Sequence, residues 1–204
     1  MKKEAQALTN LFFRYLETER RYSQNTIRSY QRDLEHFSVH LQDKKLSRWA
    51  ELKPHHIRTY ASQIFIEGLG AKSIQRRLSA IRSFMNYLLR EGMIKNNPAE
   101  GVKTPKAPKK LPGVLDIQQI SQLLDIQETD PLSLRDKAIM ELIYSSGLRL
   151  SEIVRLNPID LNLSDKSLTV IGKGDKTRML PIGNEAIKSL RSWLSCRNKL
   201  ANPE

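Results

Sequence analysis

An arginine, a glutamate and a lysine stand out for the chemistry their spacing allows. In Gly147-Leu148-Arg149-Leu150-Ser151-Glu152-Ile153, an arginine follows a glycine at a helix end, and a carboxylate comes three residues later. Further on, Val170-Ile171-Gly172-Lys173-Gly174-Asp175-Lys176-Thr177-Arg178 sets Lys173 between two glycines. A guanidinium donates in a fork that matches two phosphate oxygens. Glu152 is spaced to hold a neighbouring side chain in place. A lysine on a glycine-flanked tip can approach a leaving oxygen as a general acid. Together these groups suit a grip on one phosphate of a backbone, where fixed donors stabilise the charge of the transition state. Taken singly, each has a plainer reading: a surface cation, a carboxylate balancing a helix dipole, a tight glycine turn.

The elements that would position them follow from periodicity. Ser145 lies at the end of a helix from about Leu132, with Leu134, Ala138, Ile139, Leu142 and Ile143 apolar and Gly147 as its stop. Tyr144 on this helix reads as a core residue. A short helix covers Ser151 to Leu156 and stops at Pro158. Ser167 to Ile171 and Thr177 to Pro181 read as the two strands of a hairpin. A last helix, about Glu185 to Asn198, turns Ile187, Leu190, Trp193 and Leu194 inward. Asp116 caps a short helix carrying Ile117, Ile120, Leu123 and Leu124.

The first half of the chain is helical throughout. Apolar residues at three- and four-residue spacing mark helices over about Glu4–Arg20, Gln24–Gln42, Pro54–Glu67 and Lys72–Glu91. The third buries Ile57, Tyr60, Ala61, Ile64 and Phe65. Residues 96–113 change character, with Pro98, Pro105, Pro108 and Pro112 among Lys103, Lys106, Lys109 and Lys110. Proline blocks helix continuation and lysine keeps the segment hydrated, so this stretch reads as a linker. The expected organisation is a helical domain over 1–102, a linker over 103–113 and a mixed α+β region over 114–204.

Charge points to a polyanion. The 204-residue chain carries 34 Lys and Arg against 22 Asp and Glu, a formal net charge of +12. Residues 1–106 hold 20 of the cations and 10 of the anions, so the first half carries most of the excess. Asn25, Arg28, Gln31 and Arg32 on the second helix, and Lys72, Arg76, Arg77 and Arg82 on the fourth, can reach phosphates and base edges. Solvated helix faces are the competing reading. The linker lysines Lys103, Lys106, Lys109 and Lys110 would attract a nucleic-acid backbone, and Lys176 and Arg178 extend the cationic hairpin. Cys196 is the lone cysteine, which excludes an internal disulfide. No run approaches the ~18 apolar residues of a membrane span. Met1-Lys2-Lys3-Glu4 leads into an amphipathic pattern with no apolar leader core. A cytoplasmic protein with no membrane partner is expected.

These motifs resemble the Xer-type tyrosine recombinases of the phage integrase family. The resemblance rests on Gly147 to Ile153 and on Val170 to Gly183. Ser23-Gln24-Asn25-Thr26-Ile27-Arg28-Ser29-Tyr30-Gln31-Arg32-Asp33-Leu34 and Asn97-Pro98-Ala99 add to it. It implies a mainly α fold: a four-helix SAM-like core-binding domain, then part of an α+β catalytic domain with a small β-hairpin or sheet. It implies that Arg149 is a catalytic arginine, that Glu152 supports the site and that Lys173 protonates the leaving hydroxyl. Double-stranded DNA is the implied partner, gripped by a two-domain clamp. The implied assembly is a homo- or heterotetramer with a full-length recombinase. The implied chemistry attacks the phosphate with tyrosine and needs no metal and no cofactor.

The resemblance also sets an expectation of inactivity. Family members carry a histidine-x-x-arginine pair, a second histidine or tryptophan, and the tyrosine after the hairpin. The four histidines here, His36, His40, His55 and His56, all precede Arg149. The six tyrosines, Tyr15, Tyr22, Tyr30, Tyr60, Tyr87 and Tyr144, all precede Lys173. No residue is assigned as nucleophile, and this chain is expected not to cleave DNA alone. A non-enzymatic DNA-binding factor, or a partner or decoy of a full-length recombinase, is the alternative.

Overall fold

A computed structural model describes residues 3–44, 46, 48–106, 111, 113–172 and 176–198. The chain divides into two compact units, Met1–Lys110 and Leu111–Glu204.

Four long helices build the first unit: α1 (Lys3–Thr18), α2 (Gln24–Asp43), α3 (Pro54–Ile66) and α4 (Ala71–Arg90). Ser23 caps α2, its side chain accepting from the Thr26 backbone N–H at 3.3 Å. Pro54 opens α3 at the position where a missing N–H costs nothing. The four apolar stripes meet in one core of Phe12, Leu16, Leu34, Phe37, Tyr60, Ile74, Ile81, Phe84 and Leu88. Trp49, in a 3-10 turn at Trp49–Glu51, closes this core edge-on against Phe84, with ring centroids 4.9 Å apart. Beyond α4, Asn97 and Pro98 are buried and the chain stays fastened to that helix through Pro105, whose carbonyl accepts from Gln75 Nε2 at 2.8 Å.

The second unit holds α5 (Ile117–Leu124), α6 (Pro131–Ser146), α7 (Leu150–Ile153) and α8 (Asn184–Cys196). Its antiparallel sheet runs β1 (Leu161–Asn162), β2 (Ser167–Ile171), β3 (Thr177–Pro181) in spatial order β1-β2-β3. Leu168 and Val170 point from β2 into a core with Ala138, Leu142, Leu148, Ile182, Ala186, Ile187 and Leu190. Asp116 and Asp130 cap α5 and α6 through their side chains.

The mainly α fold with a small sheet agrees with the sequence reading. Three details differ. β1 is two residues long, too short for an alternation pattern to reveal, and it adds a third strand to the expected hairpin. Tyr144 is 57% exposed instead of buried. It sits two positions past buried Leu142, and two helical steps turn it to the opposite face. Phe65, expected on the buried face of α3, is 59% exposed. It follows Ile64, which takes the inward position at that turn.

Candidate phosphate-gripping site

The site begins with how α6 ends. Gly147 adopts the left-handed backbone (φ +61°), and its N–H returns to the Ile143 carbonyl at 2.9 Å. This turn drives Leu148 into the core and leaves Arg149 facing outward: Leu148 is 6% exposed, whereas the Arg149 side chain is 69% exposed. Ser145 and Ser146 fasten the same turn to the strand end. Ser145 Oγ accepts from the Gly183 N–H at 2.6 Å, and Ser146 Oγ donates to the Pro181 carbonyl at 2.8 Å.

Glu152 lies behind Arg149, its side chain buried to 3% exposure. Its two carboxylate oxygens take four hydrogen bonds. Oε2 accepts from the Arg149 backbone N–H, which starts α7, and Oε1 accepts from Arg149 Nη1, both at 2.9 Å. Arg178 reaches across from β3 with a bidentate pair, Nη1 to Oε1 and Nη2 to Oε2, again at 2.9 Å. The carboxyl is therefore held far below the usual range, at about 2. The Arg178 guanidinium is the largest cause and the Arg149 backbone N–H the next. A carboxylate this saturated is permanently ionised near neutral pH. It is a fixed anion that accepts from both Arg149 and Arg178.

β2 and β3 set the reach of Arg178. Their register pairs Val170 with Arg178 and Ile171 with Thr177, and the Gly172 N–H donates to the Lys176 carbonyl at 2.8 Å. Lys176 is exposed beside this turn. Lys173 lies outside the described residues, as do Lys109 and Lys110.

The DNA-facing candidates of the first unit divide into two sets. Asn25, Arg28, Gln31 and Arg32 on α2, Lys72 on α4, and Lys103 and Lys106 beyond it are exposed. Three arginines on α4 are tied to the unit itself. Arg76 Nη1 meets buried Asp33 Oδ2 and also donates to the Ser29 carbonyl at 3.3 Å. Arg77 donates to Tyr60 Oη at 3.1 Å and stands 3.7 Å from Asp33 Oδ1. Arg82 Nε and Nη2 reach the carbonyls of Ala99 and Val102, each at 3.4 Å. Asp33 and Tyr60 thus set the posture of α4's basic face. Sequence reasoning missed that role because the partners lie 43 and 17 positions away. Gly172 was likewise read as turn chemistry, although its backbone is not in the left-handed region. Among the described residues no cluster of three or more His, Cys, Asp or Glu could hold a metal ion. No helix among them is long and apolar enough to cross a membrane.

Two family models match the chain. Residues 9–92 match the phage integrase N-terminal SAM-like domain, and residues 113–204 match the phage integrase family. Tyrosine recombinase XerC of Alcanivorax borkumensis is 44% identical over 193 residues, which cover 94% of this chain and 62% of that protein. Tyrosine recombinase XerC of Histophilus somni is 43% identical over 197 residues, covering 97% and 66%. The chain thus spans less than two thirds of the length of these relatives. In fold it is similar to a Tn1549 transposon integrase in complex with a circular intermediate DNA, at a TM-score of 0.69, 15% identity and coverage of 97% and 66%. It is also similar to a lambda integrase dimer bound to a COC′ core site, at a TM-score of 0.69, 18% identity and coverage of 95% and 69%.

Proposed function

Because the chain belongs to the phage integrase family, the tyrosine recombinases, we propose that it serves site-specific DNA recombination of the Xer type by gripping duplex DNA. The observation that carries this reading is the Glu152-centred arrangement, which presents the exposed Arg149 fork on a buried, fully ionised support. Such a fork suits two oxygens of one backbone phosphate. The exposed cations Arg28, Arg32, Lys72, Lys103 and Lys106 supply a second, non-catalytic hold on the backbone. In this reading residues 1–102 bind DNA as the core-binding domain. Residues 103–113 cross the side of the duplex, and residues 114–204 bring Arg149, Glu152 and Lys173 to the scissile phosphate. Lys109, Lys110 and Lys176 add to the backbone hold. The cytoplasm is the proposed compartment, and a tetramer containing a full-length recombinase the proposed assembly.

The same reading holds that these 204 residues bind DNA without cutting it alone. Strand cleavage by this chemistry needs an attacking tyrosine. Tyr144 is the one tyrosine of the second unit, and it stands on α6. Two measurements test the proposal. Gel-shift titrations with duplex DNA should give binding that weakens steeply with salt, since each neutralised phosphate releases counterions. Salt-insensitive or absent binding overturns it. A nicked suicide duplex should give no covalent protein–DNA adduct; an adduct formed by the purified chain would refute the non-cleaving part.

A further inference from the structure

Arg178 is a cation whose fork is spent on the protein itself, and Gly172 is a glycine without a positive φ. We infer that Arg178 is a positioning residue for Arg149, acting through Glu152, and that glycine at position 172 leaves the Arg178 guanidinium its room. This rests on the reading of Arg149 as the phosphate grip.

The geometry is specific. Glu152 is fixed on one side by its own short helix, through the Arg149 N–H. That bond leaves the carboxylate free to rotate about its last torsion. The parallel pair from Arg178 removes that freedom, because two bonds from a planar fork define the carboxylate plane. With that plane set, Oε1 is placed to receive Arg149 Nη1 at 2.9 Å. The mostly exposed Arg149 side chain is thus anchored at one nitrogen and free to donate with the rest of its fork. The pair also joins β3, which flanks residues 173–175, to the turn that carries Arg149.

Gly172 is where the arginine passes. A Cβ placed there would stand 2.7 Å from Arg178 Nη1, 3.4 Å from the Lys176 carbonyl oxygen and 3.9 Å from Glu152 Oε1. Real Cβ atoms do not approach so closely, so any side chain at 172 must push the guanidinium aside. An exposed tip would let Arg178 swing into solvent, and Glu152 would then lose its bidentate partner. Lysine at 178 cannot substitute, since an ammonium is a point charge with no fork.

The test uses the intact 204-residue chain as wild type, R178Q, R178K and G172A. The Glu152 side-chain carboxyl carbon, assigned by its loss in E152Q, is followed by NMR from pH 2 to 7. The exchange rate of the Arg149 Nη protons is read in the same samples. Backbone amide spectra confirm that each variant stays folded. The expected result is that Glu152 titrates upward toward the ordinary carboxylate range in R178Q, and by less in G172A, because the Arg149 N–H still donates to it. R178K falls between R178Q and wild type, and exchange of the Arg149 Nη protons speeds up in all three variants. G172A in the R178Q background should add no further change, because both act on one contact. An unchanged Glu152 titration and unchanged Arg149 exchange in R178Q and G172A overturn the inference. Duplex binding supplies the second arm. R149A should weaken it by about tenfold in the wild-type background and by less than about twofold with R178Q. An equal R149A effect in both backgrounds also overturns the inference. A chain that binds no duplex at all overturns the phosphate-grip reading instead, and the two NMR readouts then decide the clamp alone.

Discussion

Ser145 Oγ accepts a hydrogen bond from the Gly183 backbone N–H at 2.6 Å, joining the end of α6 to the turn between β3 and α8. The two residues are 38 positions apart. Their contact brings the helix that ends in the Arg149 turn against the strand that carries Arg178. Ser145→Ala removes the acceptor and leaves that N–H to find water. The expected cost is about 1 kcal/mol, the net worth of one hydrogen bond. Gly183→Ala tests the same joint sterically. Its φ of −70° suits any residue, but a new Cβ would lie 3.2 Å from Ser145 Oγ. Gly183→Ala should therefore destabilise the wild type and be nearly silent in the Ser145→Ala background. Urea denaturation of the four proteins checks this, and additive effects would contradict a shared contact.

Asp33 plays a comparable part in the first unit. Its side chain is 3% exposed and faces both Arg76 and Arg77. Burial pushes its carboxyl up, and Arg76 only partly offsets that. A raised carboxyl pKa means that the charged form costs the fold something. Its contribution is fullest below the ordinary carboxylate range and is lost as pH rises through the folded value. Asp33→Asn keeps the shape and removes the buried charge, so it should be tolerated. Asp33→Ala also removes the side-chain oxygen that accepts from Arg76 and should cost about 2 kcal/mol more than Asp33→Asn. Thermal melts of both variants at pH 7 check the order. Equal losses would show that the side-chain oxygen contributes nothing beyond its charge.

Local relations were the legible part of the sequence. The cap at Asp116, the stop at Gly147 and the Arg149–Glu152 pair each span three or four residues, so spacing alone reveals them. The four apolar stripes of the first unit were legible for the same reason. Relations across the fold were not. Arg178 pairs with Val170 in the hairpin, yet nothing in that alternation says its guanidinium will turn back onto Glu152, 26 residues earlier. Arg76, Arg77 and Arg82 look like free cations on a helix face, and only the packing of α2, α3 and the segment after α4 supplies their partners. Residue type misled at Phe65 and Tyr144, where apolar character was taken for burial but helix phase decides.

Asn97 shows what fixes the chain after α4. The residue is 7% exposed and its side-chain amide is used throughout: Nδ2 donates to Asn86 Oδ1 at 2.6 Å and to the Arg82 carbonyl at 3.2 Å, and Oδ1 accepts from the Ala99 N–H at 2.8 Å. Asn97→Ala should cost about 2 kcal/mol, because buried backbone groups lose partners. The loss should be local as well. Hydrogen exchange should speed up at Ala99 and Val102, whose backbones turn on this amide, while the α1 and α2 cores stay protected. Uniform acceleration across the unit would refute a local anchor.

Glu152 contributes to the acid sensitivity of the second unit. Its carboxyl is held at about 2, first by Arg178, then by the Arg149 N–H. For a depressed carboxyl, the stabilising contribution is complete above the ordinary value of about 4.3 and disappears as pH falls through the folded value. The contribution is thus constant from pH 5 to 8 and declines between about pH 4.5 and 2. Glu152→Gln lacks this proton. The gap between wild-type and Glu152→Gln denaturation midpoints should be level above about pH 5 and narrow steadily below it. Duplex binding through Arg149 should likewise show no break between pH 5 and 8 that Glu152→Gln abolishes. A midpoint gap that changes near pH 6 to 7 would mean that the carboxyl titrates in the fold, and that the two guanidinium groups do not hold it as the geometry requires.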